Sequence, residues 1–305
     1  MQFSAWPNQP GDWELLRDFA QHVEQSDWDG LWVADHFMPN QEDNSGPTGE
    51  AWTTLAALAA SIPRVRLGTM VTGNTYRHPA VLAKMAAQVD VISGGRLVLG
   101  IGSAWQQNEH EAYGILFDTV GSRLRRLEEA VQIIRSLFEN ERTDFDGKFY
   151  QITDAPLAPK PVQRPRPPIL IGGGGEKVTL RLAAQYADEW NVWGNPEILR
   201  RKIGVLEQHC ADIGRDPSEI RKSANVFIQV TDDPAEADKA RETFGVRMLA
   251  APAEEVKAVI EQYIDAGVDE LVVPIFALRP NQPESVARAI TIADRFINEV
   301  APAFR

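Results

Sequence analysis

The sequence predicts an α/β protein of closed (β/α)8 TIM-barrel form, with an inserted excursion before the fifth strand. Short β-rich runs alternate with helix-length amphipathic segments from one end of the chain to the other, eight of each. A length of 305 residues suits one such barrel, which typically takes ~250 residues plus insertions. Closure also removes the edge strands that an open doubly wound sheet would keep.

Taken in order, the first strand is expected at Gln2 to Trp6, with a helix at Asp12 to Gln25. Gly30 to Ala34 and Ala51 to Ser61 make the second unit. Val65 to Val71 and Pro79 to Ile92 make the third, with Pro79 suited to the first helical position. The fourth unit is Arg96 to Ile101 with Ser122 to Asn140. Residues 143–167 then fit neither element. Phe145-Asp146-Gly147-Lys148 has Asp-Gly hairpin chemistry, and Pro156, Pro159, Pro161, Pro165, Pro167 and Pro168 follow, so an insertion is expected here. Pro168 to Ile171 with Glu176 to Tyr186, and Glu189 to Val192 with Pro196 to Ile213, are units five and six. Ser223 to Val230 with Ala253 to Ala266, and Glu270 to Ile275 with Glu284 to Asn298, complete a single domain over 1–305.

Composition narrows the function. Lys and Arg number 31 against 43 Asp and Glu, a net charge of −12, so the overall field repels nucleic acid and anionic membrane surfaces. The single cysteine, Cys210, forms neither an internal disulfide nor a thiolate metal cluster. The chain opens without a basic n-region or apolar h-region, and no apolar run approaches a bilayer span. A cytoplasmic protein acting on a small molecule is the expectation.

In a barrel of this type the chemistry sits just after each strand. Asp35-His36 follow the second strand; histidine is the general acid or base near neutral pH, and the adjacent acid is placed to orient it. His78-Pro79 reads as a helix entry. After the fourth strand come Gly100, Gly102, Ser103, Trp105 and Asn108, where glycines permit close approach of a planar ligand and Trp105 offers an apolar wall. A dinucleotide fingerprint fails because Trp105 stands where its third glycine belongs. Glu109, His110 and Glu111 are explained by an exposed helical turn, and no metal is expected. The most specific feature is Gly172-Gly173-Gly174-Gly175 between a strand and a helix start, the outline of a phosphate cradle, with Lys177, Arg181 and Arg77 available as local cations. It lacks the Gly-Lys-Ser/Thr ending of a P-loop.

These phrases, with Gly30 to Phe37, Arg66 to Thr69, Tyr76 to Ala80, Ser93 to Arg96, Gly100 to Gly102, Phe145 to Lys148 and Pro168 to Gly174, resemble the bacterial luciferase-like superfamily, in particular its deazaflavin (coenzyme F-420) dependent oxidoreductase branch. The resemblance runs from the first strand to about Asn191. It implies a cofactor ring in the barrel mouth near Asp35 and His36, with His36 as proton donor or orienter. It implies a bulge with a non-prolyl cis peptide at Met70-Val71, continued by Thr72, behind that ring, and the cofactor phosphate at the glycine loop. A homodimer is also implied. In sugar-phosphate dehydrogenases of this branch an acidic residue follows the fourth strand; Trp105 stands there instead, which implies a less polar substrate. The activity implied is hydride transfer between the reduced deazaflavin and an organic substrate. The alternatives are an FMN-dependent monooxygenase fed by a separate reductase, or a non-catalytic flavin-binding barrel.

Overall fold

The computed structural model describes residues 1–305, the side chain of Val246 left aside. Strand β1 (Gln2–Pro7) leads to helix α1 (Trp13–Gln25), and β2 (Gly30–Val33) to α2 (Ala51–Ser61). Strand β3 (Arg66–Thr69), with its short continuation β4 (Thr72–Gly73), leads to α3 (Pro79–Ser93). After β5 (Leu97–Gly102) come two helices, α4 (Gln107–Tyr113) and α5 (Val120–Glu139), then the hairpin strands β6 (Arg142–Asp146) and β7 (Gln151–Pro156). Next are β8 (Ile169–Gly172), α6 (Thr179–Tyr186), β9 (Glu189–Trp193), α7 (Pro196–Asp212) and β10 (Arg221–Asn225). A small side unit of β11 (Phe227–Val230), α8 (Pro234–Phe244) and β12 (Met248–Ala251) precedes α9 (Ala253–Asp265), β13 (Glu270–Ile275) and α10 (Glu284–Glu299).

Parallel pairing runs in the order β3, β2, β1, β13, β10, β9, β8, β5, and β5 returns to β3 through Leu67 opposite Leu97 and Gly68 opposite Val98. The barrel is therefore closed, as predicted. Its longer helices carry an apolar stripe, and several open on a start signal. In α1, Asp12 caps the first turn and Leu15, Leu16, Phe19, Ala20 and Val23 are buried at helical spacing. In α3, the His78 side chain caps the entry, Pro79 opens the helix and Gly94 closes it at φ 67°. The main core lies between strands and helices, while Trp6, Trp32, Met70, Val98, Leu170 and Val272 fill the barrel interior. Below them Arg66 bridges Glu189 at 2.5 Å and Glu270 at 3.5 Å, a paired charge cluster at the floor. Among the described residues no helix is long and apolar enough to cross a membrane.

The insertion before the fifth barrel strand holds the antiparallel hairpin foreseen at Asp146-Gly147, with Phe145 opposite Ile152 and Asp146 opposite Gln151. Three expectations are corrected. Ser223 to Val230 is not one strand: β10 ends at Asn225 on the barrel, and β11 leaves to pair with β12. The Val226 amide still bonds the Val272 carbonyl at 3.0 Å, and from Phe227 the chain pairs with β12 instead. Helix α6 begins at Thr179 rather than Glu176, since Glu176 to Val178 form a turn. Glu109 and His110 are fully buried on α4 and are not an exposed turn; only Glu111 faces out.

Candidate active site

The closing order of the sheet divides the barrel mouth in two. The ends of β2, β3/β4, β5 and β8 are consecutive neighbours, and they carry the residues singled out from sequence. The ends of β9, β10, β13 and β1 form the opposite half.

On the first half, the Met70–Val71 peptide is cis, at the position the resemblance implied. It lies in a bulge: Gly68 opposes Val98 while Thr72 opposes Ile101, so four residues of one strand span three of the other. The neighbouring glycines are explained by this bulge. A Cβ at Gly100 would sit 1.9 Å from the Thr69 carbonyl oxygen, and Cβ atoms at Gly102 or Gly172 would lie 2.9 Å from Val71 methyls. The glycines thus admit the bulge itself. Met70 is buried and Val71 half-buried. Thr72 is fully buried, and its hydroxyl accepts from the Trp52 indole N–H at 3.0 Å, so it supports the wall and does not face the mouth.

The pairing expected between Asp35 and His36 is replaced by another. Asp35 is fully buried and takes a two-pronged bond from Arg77, at 2.6 and 3.2 Å, and Arg77 continues to Glu50 at 2.5 Å. Burial pushes the Asp35 carboxyl up, against the pull of Arg77. His36 instead meets Glu109: its Nδ1 lies 2.8 Å from Oε1. The same oxygen accepts from the Tyr76 hydroxyl, and Oε2 accepts from the Phe37 amide at 2.8 Å. Burial opposes ionisation of Glu109, yet these donors together hold its carboxyl below the usual range. Burial and the bond to Glu109 push the Tyr76 phenol upward.

Helix α4 grips the segment after β2 at further points. Gln106 Nε2 donates to the Met38 carbonyl at 2.8 Å and Asn108 Nδ2 to the Pro39 carbonyl at 3.0 Å. Asn108, expected as a cofactor contact, has its amide group spent on this strap, and its Oδ1 accepts from the Glu109 amide. The Ser103 carbonyl accepts from Arg123 Nε at 3.1 Å. Trp105 is 60% exposed and stands edge-on to His36, 5.4 Å between centroids, so it is free to cover a ligand. His110 is locked away, bonded to the Gln106 carbonyl and the Thr75 hydroxyl at 2.7 Å each, and burial lowers its pKa.

The glycine loop after β8 keeps unused donors. The Gly173 amide is bonded to the Asn191 carbonyl at 2.9 Å, but no acceptor among the described residues takes the amides of Gly174, Gly175, Glu176 or Lys177. Lys202 of α7, which the sequence did not point to, lies on this loop with Nζ 2.6 Å from the Gly174 carbonyl and 3.4 Å from Glu176 Oε1. Lys177 itself is exposed in the turn. Arg181 is paired with Glu128 at 3.2 Å, and Arg77 is committed to Asp35, so neither serves the loop. Free amides with a lysine beside them suit an anion such as phosphate. Among the described residues no group of three or more His, Cys, Asp or Glu side chains is placed to hold a metal.

The second half of the mouth is aromatic. Trp6 packs 5.9 Å from Trp193 and 5.5 Å from Phe276, and Phe227 lies 5.2 Å from Trp193, 5.5 Å from Phe276 and 4.7 Å from Phe244. Phe227 and Phe244 come from the side unit β11–α8–β12, whose role here was not legible in the sequence. Among the described residues the buried Trp6 indole N–H has no hydrogen-bond partner.

Fold and site together define a closed (β/α)8 barrel with an anion-ready glycine loop at its mouth, and comparison with known proteins gives its family. The luciferase-like monooxygenase family matches residues 1–270, and the chain belongs to that family. An F420-dependent glucose-6-phosphate dehydrogenase of Kineococcus radiotolerans is 31% identical over 285 residues, 90% of this chain and 82% of that one. An F420-dependent hydroxymycolic acid dehydrogenase of Mycobacterium tuberculosis is 33% identical over 225 residues, 72% of this chain and 60% of that one. Among solved structures, an F420-dependent secondary alcohol dehydrogenase in complex with an F420-acetone adduct superposes with TM-score 0.85 at 23% identity, covering 100% of this chain and 99% of that one. That likeness confirms the barrel.

Proposed function

We propose that the chain is a coenzyme F-420-dependent oxidoreductase that moves a hydride between the deazaflavin and a small, fairly apolar organic substrate. The observation that carries the reading is the two-part mouth, with His36, the bulge and an anion-ready loop on four adjacent strands and a five-ring aromatic wall opposite. F420 dependence in relatives at 31% and 33% identity supports the cofactor choice. When bound, that cofactor supplies a two-electron hydride centre.

The chain's own residues do the rest. Amides of Gly174 to Lys177 and the Lys202 ammonium hold the phosphate. Trp6, Trp193, Phe227 and Phe276 bury the apolar body of the substrate and exclude water, and the unpartnered Trp6 N–H is available to a substrate oxygen. Trp105 covers the ligand from the other side, and His36 exchanges the proton that accompanies hydride transfer. An exposed tryptophan at position 105 offers no charge to a polyol, which favours the less polar substrate.

Fluorescence titration of the apoprotein with oxidised deazaflavin and, in parallel, with FMN tests the reading. Tight binding of the deazaflavin alone is expected. Preference for FMN redirects the assignment to an oxygen-using enzyme served by a separate reductase, and binding of neither overturns it.

A further inference from the structure

We propose that Glu109 and Tyr76 are positioning residues that hold His36 as its Nδ1–H tautomer, reserving Nε2 for the proton exchanged with the substrate oxygen. The proposal rests on the hydride-transfer reading above. A carboxylate in this position only accepts, so the 2.8 Å contact between His36 Nδ1 and Glu109 Oε1 requires the proton on Nδ1. Neutral imidazole carries one N–H, and Nε2 is then a bare acceptor. His36 is partly exposed while Glu109 is fully buried, so the ring is anchored at its inner nitrogen and open at its outer one.

Charge accounting strengthens the assignment. Glu109 is an ionised carboxylate with no Lys or Arg within 4.0 Å among the described residues; its one ion-pair partner is His36. The nearby Arg77 is already committed to Asp35 and Glu50, and His110 to Gln106 and Thr75. Apart from His36, Glu109 is held by neutral donors, the Phe37 amide and the Tyr76 hydroxyl. The buried carboxylate therefore fixes the ring through its Nδ1.

In the oxidising direction the O–H bond of an alcohol substrate breaks toward His36 Nε2. The deazaflavin, where bound, would accept the carbinol hydrogen with its electron pair and be reduced as the substrate becomes a carbonyl, while the proton rests on His36. Reduction of a carbonyl reverses each transfer. Asp35, adjacent in sequence, takes no part because both of its oxygens face Arg77.

The test reads the tautomer directly. Imidazole ¹⁵N shifts of the apoprotein, with the His36 signals assigned by their loss in His36→Gln, should show Nδ1 protonated and Nε2 bare. In Glu109→Gln the ring should move to the Nε2–H form that free imidazole prefers, and kcat should fall ~10- to 100-fold while KM and deazaflavin affinity stay within about twofold. Tyr76→Phe keeps the carboxylate and should loosen the preference with a smaller loss of kcat. It decides the matter if Glu109→Gln does not fold. An Nε2–H ring in the unmodified protein, or ring shifts unmoved in both variants, overturns the proposal. The tautomer is measured without cofactor, so a chain that binds no deazaflavin defeats the hydride reading separately.

Discussion

Replacing Arg77 by methionine should destabilise the barrel by ~3–5 kcal/mol at neutral pH, the usual penalty for removing one partner of a buried ion pair. Asp35 has no exposed surface, and both of its oxygens receive Arg77 nitrogens, at 2.6 and 3.2 Å. Methionine fills the space but leaves the carboxylate buried without a counter-charge. Loss of the second arm, to the more exposed Glu50, adds only ~0–1 kcal/mol. Urea unfolding followed by tryptophan fluorescence measures the difference; with m near ~3 kcal/mol/M the midpoint should drop by about 1–1.7 M. The pH dependence has a definite sign. Burial already raises the folded-state Asp35 carboxyl above its ordinary 3.8, and Arg77 is the largest influence opposing that rise. Without Arg77 the folded form prefers the protonated acid, so the penalty is full above the raised folded value and shrinks as pH falls toward the unfolded value. The double variant Asp35→Asn/Arg77→Met should recover most of the loss. A deficit below ~1 kcal/mol, or one of equal size in the Asp35→Asn background, would refute the claim that Arg77 neutralises a buried ion.

Lys202→Met removes the ammonium from the glycine loop and should weaken deazaflavin binding about tenfold, with a shallower dependence on salt; calorimetric titration at two ionic strengths checks both, and unchanged affinity counts against the cradle. Gly68→Ala places a Cβ 2.3 Å from the Val98 carbonyl oxygen and 2.7 Å from the Trp32 ring, an overpacking cost of ~1–3 kcal/mol that should lower Tm by about 3–10 °C in a thermal scan. Trp105→Ala, at a largely exposed position, should change stability by less than ~0.5 kcal/mol yet raise KM for apolar substrates, which steady-state kinetics would show.

The barrel was legible because most of its strands lie in short apolar runs and its long helices carry one stripe each, signals that are local in sequence. Helix α8 escaped because only Ala237 and Ala240 are buried from it, leaving no apolar stripe to read, and with it went the side unit that brings Phe227 and Phe244 to the mouth. The residues after the strands were found by position, but their pairings were not. Asp35 looked like the partner of His36 because it is adjacent in the chain. At a strand end, though, successive side chains point to opposite faces, so Asp35 turns into the wall toward Arg77 while His36 turns to the mouth. The acid that does reach His36 comes from 73 residues away, on a seven-residue helix too short to show a periodic face. A partner for a histidine at the barrel mouth is therefore better sought among acids on the neighbouring barrel segments, where β2, β3 and β5 converge, than beside it in sequence. The buried Glu109, with three donors and, among the described residues, no Lys or Arg beside it, is the residue that such a search selects.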